Sequence, residues 1–426
     1  MINSKLILQD FENSARLLER KGVSRNSLIE LRGLLENRQD VERQLNDGRA
    51  EVNKISDEIG KLALTGKKAE MDQLRSQVPM LKSRVASLEV EKKRLDDESS
   101  YILLRLPNFP AEDAPQGATE KDNVVLRVHG YRPEDYEGKS YRPHWEVATD
   151  LGIYDSERAA KISGSMFALL RKDGSRLLRS LIRFGLDLNE ARYEELTPPH
   201  FVRTETFTAT GHLPKFEIDA YKLRDDDLWA IPTGEVPLMS LHRDEILTAE
   251  ELPKRYMAYT VCWRREAGSA GKDTRGMQRL HEFHKVELLK LCRPEQIEVE
   301  FASMLQDAER PLQLLGLPYR VVDLCAGDLT FSSARIYDLE VYSPGVDRWL
   351  EVSSVGIFTD FQARRGNIRF RGEKGGTEFV HALNGSAMAT PRIWAALIEH
   401  GQQQDGSVRL PDALVPYMGK SQIGPG

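Results

Sequence analysis

The sequence is poor in cysteine, and this scarcity excludes two kinds of architecture. Among its 426 residues the cysteines are Cys262, Cys292 and Cys325, an odd number without paired close spacing. A disulfide framework needs paired cysteines, and a structural zinc site usually needs clustered ones. We therefore expect buried, unpaired thiols, and neither a disulfide-stabilised fold nor a zinc cluster.

Long hydrophobic runs are also missing. No segment approaches the roughly 20 apolar residues that a membrane-spanning helix needs. The first residues, MINSKLILQDFENSARLLERKG, contain no uninterrupted apolar core of signal-peptide length. A charged fraction of 30 % beside a hydrophobic fraction of 40 % is typical of a globular protein in water. We expect no membrane partner and a cytoplasmic location.

An excess of positive charge is absent as well. The formal net charge is −6, whereas proteins that bind nucleic acid usually carry a basic surface. A large enzyme can keep such a surface local, so the net charge leaves a nucleic-acid partner open. The sequence also lacks a phosphate-binding loop of the GxxxxGK[ST] or GxGxxG type, and a nucleotide would have to bind in another way.

The apolar residues of the N-terminal part follow two seams. In each seam they recur in alternating steps of three and four, which is typical of coiled coils. Gly66, in the intervening segment ALTGKKAE, allows the chain to reverse, so we predict an antiparallel pair of helices, each roughly 50 Å long. Pro79 predicts either a kink in the second helix or a helix that begins near it. The seam positions are Leu31, Leu34, Val41, Leu45, Val52, Ile55, Ile59 and Leu62, then Met71, Leu74, Val78, Leu81, Val85, Leu88, Leu95 and Ile102.

The chain is too long for one typical core, so we expect two domains. The segment LPNFPAEDAPQGATEKDN, rich in proline, glycine and charge, marks the boundary between them. We predict an N-terminal arm over 1–105, with its coiled coil at about 27–104, and a second domain over 106–426. Basic and acidic residues nearly balance in the arm, so its own sequence leaves open whether it is a spacer, a dimerisation element or a binding arm.

The second domain alternates short strands with turns. Segments such as RYMAYTVCWRRE and HEFHKVELLKL are joined by loops without crossover helices, which favours antiparallel pairing. Helices are predicted within RLLRSLIRFGLDLNEARYEELTPP, RPEQIEVEFASMLQDAERPLQLLG and PRIWAALIEHGQ. The fold class is therefore α+β, built on an antiparallel sheet and preceded by a long antiparallel helical coiled-coil arm.

Polar and aromatic residues cluster on two of the predicted strands. Residues two apart share a strand face, so Arg264 and Glu266 should project together, as should Phe283 and Glu287. Arginine suits phosphate oxygens and an aromatic ring can stack on a heterocycle. The pattern indicates a nucleotide site, and the alternative is a solvated sheet face with an exposed phenylalanine.

Other segments supply similar groups. PTGEV, read as a strand, would offer Thr233 and Glu235 on one face, and Arg392 opens a predicted helix. Glu351 and Ser354 provide oxygen ligands of the kind that Mg²⁺ accepts beside phosphates. Their spacing alone is not specific for a metal.

From end to end, the chain resembles the bacterial-type seryl-tRNA synthetases, which are class II aminoacyl-tRNA synthetases. The resemblance is carried, in order, by the helical arm, LPNFP with KDNVVLR, PHWEVATDLG, ERAAKISGS, TGHLPKFEIDAYKL, IPTGEVPL, RREAGSAGKDTRGMQRLHEFHKVEL, LGLPYRVVDLCAGDL, YDLEVYSPG, DFQARRGNIRFR, HALNGSAMATPR and VPYMGK. It implies a class II catalytic domain that forms seryl-adenylate from L-serine and ATP, then transfers the seryl group to serine tRNA.

The resemblance also implies roles for particular residues. Arg264 and Arg392 would be the catalytic arginines, holding the α-phosphate and the γ-phosphate. The implied ATP ligands are Arg264, Glu266, Phe283, Glu351, Ser354 and Arg392, with Glu351 and Ser354 holding Mg²⁺ as well. The implied serine ligands are Thr233, Glu235, Arg264, Glu287, Asn384 and Ser386. Lys272 and Arg275, in a long loop, would meet the tRNA acceptor end, and the arm would read the tRNA.

The segment LLRSLIRFGLDLNEARYEELTPP matches the family's first motif, which implies a homodimer. The sequence departs from the family after Ser354, where Val355, Gly356 and Ile357 replace the usual Cys-Ser-Asn. These positions are expected to lie beside the amino-acid pocket. Serine–tRNA ligation is the function expected. The alternatives are a second-copy or repurposed paralogue, serving inhibitor resistance or activating an amino acid for another acceptor, and a tRNA-binding paralogue without catalysis.

Overall fold

The computed structural model describes residues 1–267, 275–372 and 375–424. The chain divides into two compact units, Ile2–Leu106 and Pro107–Gly426, the second of which also includes Met1. None of the helices in the described residues combines the length and the apolar character required to cross a membrane.

The N-terminal unit is dominated by two long antiparallel helices. Gly66 has φ +74° and its N–H bonds to Leu62 O, so the left-handed conformation that glycine adopts without strain ends the first long helix. Arg49 pairs with Glu89 at 2.7 Å, and the seam residues are buried or half-buried. The predicted coiled-coil hairpin is confirmed. The helices are α1 (Ser4–Gln9), α2 (Phe11–Glu19), α3 (Arg25–Thr65) and α4 (Lys68–Leu103).

Pro79 lies inside α4 rather than at its start. The suggestion that a helix begins near this proline is therefore wrong. Only Gly66 and Lys67 lie between α3 and α4, so the chain reverses there. The helical stretch before Pro79 packs along the seam through residues such as Met71 and Leu74.

The second unit contains the remaining helices and strands. Its helices are α5 (His144–Asp150), α6 (Ser156–Ser163), α7 (Lys172–Asp187), α8 (Thr204–Ala209), α9 (Glu235–Met239), α10 (Ile297–Leu314), α11 (Phe361–Gly366), α12 (Thr390–His400) and α13 (Val415–Met418). Its strands are β1 (Val124–His129), β2 (Glu194–Leu196), β3 (Phe201–Val202), β4 (Trp229–Ala230), β5 (Ile246–Leu247), β6 (Lys254–Trp263), β7 (Glu282–Cys292), β8 (Tyr319–Asp323), β9 (Arg335–Ser343), β10 (Arg348–Thr359), β11 (Arg369–Arg371), β12 (Thr377–Phe379), β13 (His381–Ala389), β14 (Val408–Arg409) and β15 (Gln422–Ile423).

The largest sheet has eight strands in the order β1-β8-β9-β10-β13-β7-β6-β2. Every neighbouring pair is antiparallel except β2 and β6. The predicted α+β class with an antiparallel sheet is confirmed, and the three predicted helices are α7, α10 and α12.

The largest hydrophobic cluster lies against one face of this sheet, and a second cluster, which includes Leu289 and Leu291, covers part of the other face. Val286 and Leu288 of β7 join the largest cluster, together with Leu181 of α7, Met304 of α10 and Trp394 of α12. Because alternate residues of a strand point to opposite faces, Glu287, which lies between Val286 and Leu288, projects to the other side of the sheet. That other side carries the candidate site. The three cysteines are buried and unpaired, as predicted.

Candidate active site

The polar face of β7 presents Phe283, Lys285 and Glu287 at alternate positions. Lys285 forms an ion pair with Glu287, and both side chains are buried. The Lys285 Nζ donates to Thr233 Oγ1 at 2.8 Å, and Thr233 Oγ1 donates to Glu287 Oε2 at 3.2 Å. Sequence reasoning missed Lys285, although the period of two that linked Phe283 to Glu287 passes through it.

Thr233 and Glu235 do not lie on a strand, which corrects the prediction. Strand β4 ends at Ala230, and α9 begins at Glu235. The Thr233 hydroxyl accepts the Glu235 backbone N–H at 3.3 Å, so a helix start rather than a strand face holds the two residues together.

Burial changes the proton affinity of both carboxylates in this pocket. Desolvation raises the pKa of Glu235 to about 7, although a hydrogen bond from the Gln362 side chain opposes the rise. Desolvation also raises the pKa of Glu287, against the opposing charge of Lys285. Two buried acids share the pocket with a single buried lysine, and such a site is suited to a cationic ligand such as an ammonium group.

Strand β13 contributes Asn384 and Ser386. Ser386 is the register partner of Glu287 across β7 and β13. The Asn384 Nδ2 atom is buried and makes no hydrogen bond within the described residues, although the amide lies close enough to Glu235 to lower its pKa. A buried donor without a partner is costly, so this atom is available to a polar ligand in the pocket.

Arg264 and Glu266 follow β6 instead of lying on it, which corrects a second prediction. The strand ends at Trp263, and Glu266 has φ +52°, so strand alternation does not relate the two residues. The Arg264 guanidinium lies over the Phe283 ring, 5.1 Å from its centroid, and Nε donates to Pro232 O at 3.3 Å. The Glu266 carboxylate pairs with Arg279 at 2.5 Å.

Glu351 and Ser354 share a face because of a β-bulge. The register of β10 on β9 shifts between Glu351 and Ser353, so Glu351 lies opposite Glu340 and Ser354 lies opposite Asp338. Residues three apart in a regular strand would face opposite ways. The bulge therefore brings the two predicted magnesium ligands together.

Asp338 adds a further oxygen next to this pair. Its Oδ1 atom is buried and has no hydrogen-bond partner in the described part of the chain. Burial and the nearby Glu351 carboxylate raise the pKa of Asp338, and the Ser354 hydroxyl opposes that rise. These donors fit a hard cation. Within residues 1–267, 275–372 and 375–424, no cluster of three or more His, Cys, Asp or Glu side chains has metal-binding geometry, so phosphate or water oxygens would have to complete the coordination.

Arg392 lies in the first turn of α12, next to Glu351. Its Nη1 donates to the Glu351 backbone carbonyl at 2.5 Å, and its Nε donates to Gln278 O at 3.0 Å. The second predicted arginine is thus attached to the strand that carries the magnesium ligands and to the end of the long loop.

The tRNA-binding predictions fall in that long loop. Lys272 lies outside the described residues. Arg275 is described and is exposed to solvent, where it is available to a phosphate.

Two of the three residues that depart from the family point away from this pocket. Val355 and Ile357 belong to the hydrophobic core on the opposite face of the sheet. Gly356 pairs with Asn384, and a Cβ built on Gly356 would lie 2.9 Å from the Phe358 ring. Gly356 is therefore the one of the three that adjoins the pocket, and its missing side chain leaves room for Phe358.

Comparisons with known proteins agree with this geometry. The sequence profile of the seryl-tRNA synthetase N-terminal domain matches residues 1–110, and that of the tRNA synthetase class II core domain (G, H, P, S and T) matches residues 216–401. Serine–tRNA ligases of Synechococcus sp. (strain RCC307) and Kosmotoga olearia are 45 % and 46 % identical to the chain, over 100 % of both sequences in each case.

Solved structures give the same result. The seryl-tRNA synthetase of Pyrococcus horikoshii, complexed with ATP, has a TM-score of 0.93 at 36 % identity and covers 100 % of each chain. The cytoplasmic serine–tRNA ligase of Naegleria fowleri, in complex with AMP, has a TM-score of 0.87 at 25 % identity and covers 100 % of this chain and 99 % of its own. The chain belongs to the seryl-tRNA synthetase family of class II aminoacyl-tRNA synthetases.

Proposed function

We propose that this protein is an ATP-dependent serine–tRNA ligase. One observation carries the proposal: the buried Thr233–Lys285–Glu287 cluster lies on the same sheet face as Phe283, whose ring Arg264 covers. A pocket for a small polar amino acid thus adjoins a surface for an adenine and a phosphate. Full-length similarity to serine–tRNA ligases supports the assignment.

The first step joins serine to AMP. One serine carboxylate oxygen attacks the α-phosphorus of ATP, an O–P bond forms, and the bond to the pyrophosphate leaving group breaks. The carboxylate is already ionised at neutral pH, so no side chain needs to remove a proton. The protein has to align the reactants and stabilise the developing negative charge.

The arginines provide this stabilisation. Arg264 would bind the α-phosphate and Arg392 the γ-phosphate, while Phe283 stacks on adenine and Glu266 binds its amino group. Arg264 lies over the Phe283 ring, so the proposed phosphate and adenine contacts adjoin each other.

Mg²⁺ is proposed to bind with ATP at Glu351 and Ser354. When bound, the ion would neutralise phosphate charge and hold the triphosphate in place. The buried Oδ1 of Asp338, which has no hydrogen-bond partner among the residues that the structure describes, lies beside these residues and fits the same requirement. The protein supplies hard oxygen ligands, which are the kind that Mg²⁺ selects.

Serine is proposed to bind at the buried cluster. Glu235, which the Asn384 amide approaches, and Thr233 would hold the ammonium group and backbone of the substrate. Glu287 and Ser386 would bind its hydroxyl. A pocket that hydrogen-bonds a hydroxyl rejects alanine strongly, by roughly 10⁴-fold, since its own polar groups would otherwise lose their partners.

In the second step a hydroxyl of the terminal tRNA adenosine attacks the serine carbonyl, an ester forms and AMP leaves. Lys272 and Arg275 would approach the phosphates of the acceptor end. The N-terminal unit would bind the tRNA, and its balanced charge suits recognition of RNA shape and backbone. Since serine tRNA is used in protein synthesis, we infer a cytoplasmic location.

We also propose a homodimer. The helix α7 and the following strand β2 match the family's first motif. The edge strand β1 supports this, because it exposes Val124, Leu126 and Val128, each by more than two fifths of its surface, and exposed apolar residues on an edge strand favour association.

The test of this function is aminoacylation of total tRNA. The purified protein, ATP, Mg²⁺ and labelled serine should transfer label to tRNA, whereas labelled alanine should not. Transfer should fail with Glu287→Ala while the circular dichroism spectrum stays unchanged. Label in tRNA from alanine at a comparable rate would contradict the proposed pocket.

A further inference from the structure

The long loop between β6 and β7 returns to the sheet through a short segment that is fixed at three consecutive residues. We call residues 276–279 the returning limb. Within it, the Met277 N–H donates to His144 Nε2 at 2.9 Å. The Gln278 carbonyl accepts from Arg392 Nε at 3.0 Å, and Arg279 pairs with Glu266. Two of these three contacts reach residues that are proposed to bind ATP.

His144, at the start of α5, is buried and is held by a second buried residue. Its Nδ1 lies 2.7 Å from Glu399 Oε1, and the two side chains are 1 % and 0 % exposed. Because Nε2 accepts a backbone N–H, the ring must carry its proton on Nδ1 and donate it to Glu399. The carboxylate therefore fixes both the tautomer and the orientation of the ring.

Glu399 is itself fully satisfied, which keeps it ionised and in place. It accepts the Ser343 hydroxyl and the Gly345 N–H, the latter at 3.0 Å, as well as the His144 N–H at 3.1 Å. Burial alone would raise the pKa of Glu399, but the hydrogen bonds that it accepts from His144 and Ser343 hold that pKa below its usual range.

Helix α12 connects this pair to the catalytic arginine. Arg392 and Glu399 stand seven positions apart in it, which is about two turns and roughly 10 Å along the axis, so both side chains leave the same face of the helix. The helix thus holds the returning limb at two points, directly through Arg392 and indirectly through Glu399 and His144.

The His144 ring packs so closely against the returning limb that position 276 has no room for a side chain. Gly276 has φ +66°, and a Cβ built on it would lie 2.2 Å from His144 Nε2. A side chain at position 276 would therefore displace the imidazole. The Met277 side chain is buried in the core, with 3 % of its surface exposed, so the limb is anchored on both sides of the peptide that His144 binds.

We propose that His144 is a positioning residue for ATP binding: its imidazole, oriented by Glu399, holds the Met277 amide so that Gln278 and Arg279 keep Arg392 and Glu266 in place for the nucleotide. No contact between His144 and the proposed ATP or serine ligands is needed. The expected effect on the KM for ATP rests on the proposed function, whereas the expected effect on the Met277 amide does not.

Two substitutions of the same residue separate the two hydrogen bonds. In His144→Asn the amide nitrogen can replace Nδ1 and keep the donor to Glu399, but nothing replaces the acceptor for Met277. In His144→Gln the amide oxygen can replace Nε2 and keep the acceptor for Met277, but the donor to Glu399 is lost. Both variants lose one buried hydrogen bond, so both should lower the melting temperature.

The readout that distinguishes them is the KM for ATP in serine-dependent pyrophosphate exchange. His144→Asn should raise this KM roughly tenfold, the effect of one released hydrogen bond, and leave the KM for serine unchanged. His144→Gln should keep the KM for ATP within about twofold of the wild type. Tyr193→Phe is the matched control: it removes the buried Tyr193–Asp307 hydrogen bond of 2.7 Å and should lower stability without changing either KM.

Hydrogen exchange gives a readout that does not need activity. In the wild type the Met277 amide should be protected, and in His144→Asn its exchange should accelerate roughly tenfold, while His144→Gln retains protection. Equal KM values for ATP in the Asn and Gln variants, or a Met277 amide as protected in His144→Asn as in the wild type, would overturn the proposal. Absence of serine-dependent pyrophosphate exchange in the wild type would instead overturn the proposed function. The hydrogen exchange of the Met277 amide would still decide the role of His144.

Discussion

At the scale of single residues, the site combines an exposed arginine with a buried cluster of charges. The Arg264 guanidinium donates to the Pro232 carbonyl and lies over Phe283, and the side chain is exposed. The Lys285–Glu287 pair is buried and bonded to Thr233. The first group is therefore free to respond to a phosphate, while the second is held in advance of substrate binding.

Replacing Arg264 by alanine should abolish adenylate formation. We expect serine-dependent pyrophosphate exchange to fall by at least about 10³-fold, because an arginine at the reacting phosphate stabilises charge that develops in the transition state. Arg265→Ala is the control, since this neighbouring arginine is also exposed and bonds to the Ile218 carbonyl at 3.0 Å. Exchange by Arg264→Ala at the rate of Arg265→Ala would refute the assignment of Arg264.

The raised pKa of Glu235 predicts how the stability of the fold depends on pH. Its pKa in the folded protein, about 7, is above the ordinary value of 4.5. The folded state therefore keeps a proton that the unfolded chain releases, and the resulting stability is fully present below pH 4.5 and is lost as the pH rises through 7. At pH 8 the buried carboxylate should cost roughly 2–4 kcal/mol.

Glu235→Gln should remove this cost. We expect a higher melting temperature than the wild type at pH 8, little difference at pH 5, and a raised KM for serine. Glu399→Gln should instead lower the melting temperature at pH 8. The pKa of Glu399 is lowered, so its ionised form stabilises the fold above pH 4.5. Thermal unfolding of both variants at the two pH values checks the signs. If Glu235→Gln melts at a lower temperature than the wild type at pH 8, the ionised Glu235 carboxylate does not destabilise the fold at that pH.

At the scale of elements, the arm carries a prediction of its own. Val52 of α3 and Leu81 of α4 lie at the same level of the hairpin, since nearby Gly48 approaches Val85 at 3.2 Å, measured from a Cβ built on the glycine. Replacing residues 53–80 by a short glycine-rich turn should leave serine-dependent exchange unchanged. It should lower kcat/KM for tRNA charging by at least about tenfold, since contacts to RNA backbone would be lost.

A full-length variant with Val52→Ala controls for altered hairpin packing. If the shortened protein charges tRNA as efficiently as the full-length protein, the proposed role of the arm is wrong. If it loses exchange as well, the deletion has damaged the second unit and circular dichroism should show it.

Elements with a regular period were predictable from the sequence, and irregular ones were not. The coiled-coil seams and the alternation from Phe283 to Glu287 follow from helix and strand geometry alone. Thr233 and Glu235 were wrongly placed on a strand because a helix of five residues leaves too short a pattern to recognise. The shared face of Glu351 and Ser354 depends on a bulge, which no spacing rule reveals.

Residues that act through long-range contacts were also missed. Gln362, Asp338 and His144 meet the site from distant parts of the chain, and their importance follows from burial and partners instead of local sequence. Lys285 was missed too, but it could have been found from the sequence, because it lies on β7 midway between Phe283 and Glu287. Asn384 and Ser386, on strand β13, became candidates only through the family resemblance.

At the scale of the whole molecule, association is the first property to measure. The chain has a mass of 48.4 kDa, so light scattering after size exclusion should give about twice that value for the proposed homodimer, since closed twofold symmetry is the commonest arrangement of homo-oligomers. Val128→Glu, on the exposed edge strand β1, should weaken the dimer if this strand contributes to it. A single mass of 48 kDa at micromolar concentration would exclude a stable dimer.

Every proposed role in the second unit depends on amino-acid activation. The most direct measurement is pyrophosphate exchange by the purified protein with each of the twenty amino acids in turn, followed by charging of total tRNA with those that are active. We predict exchange with serine, discrimination against alanine by roughly 10⁴-fold, and transfer of serine to tRNA. Exchange with a different amino acid, or exchange with serine without charging of any tRNA, would contradict the assignment of the pocket and of the arm.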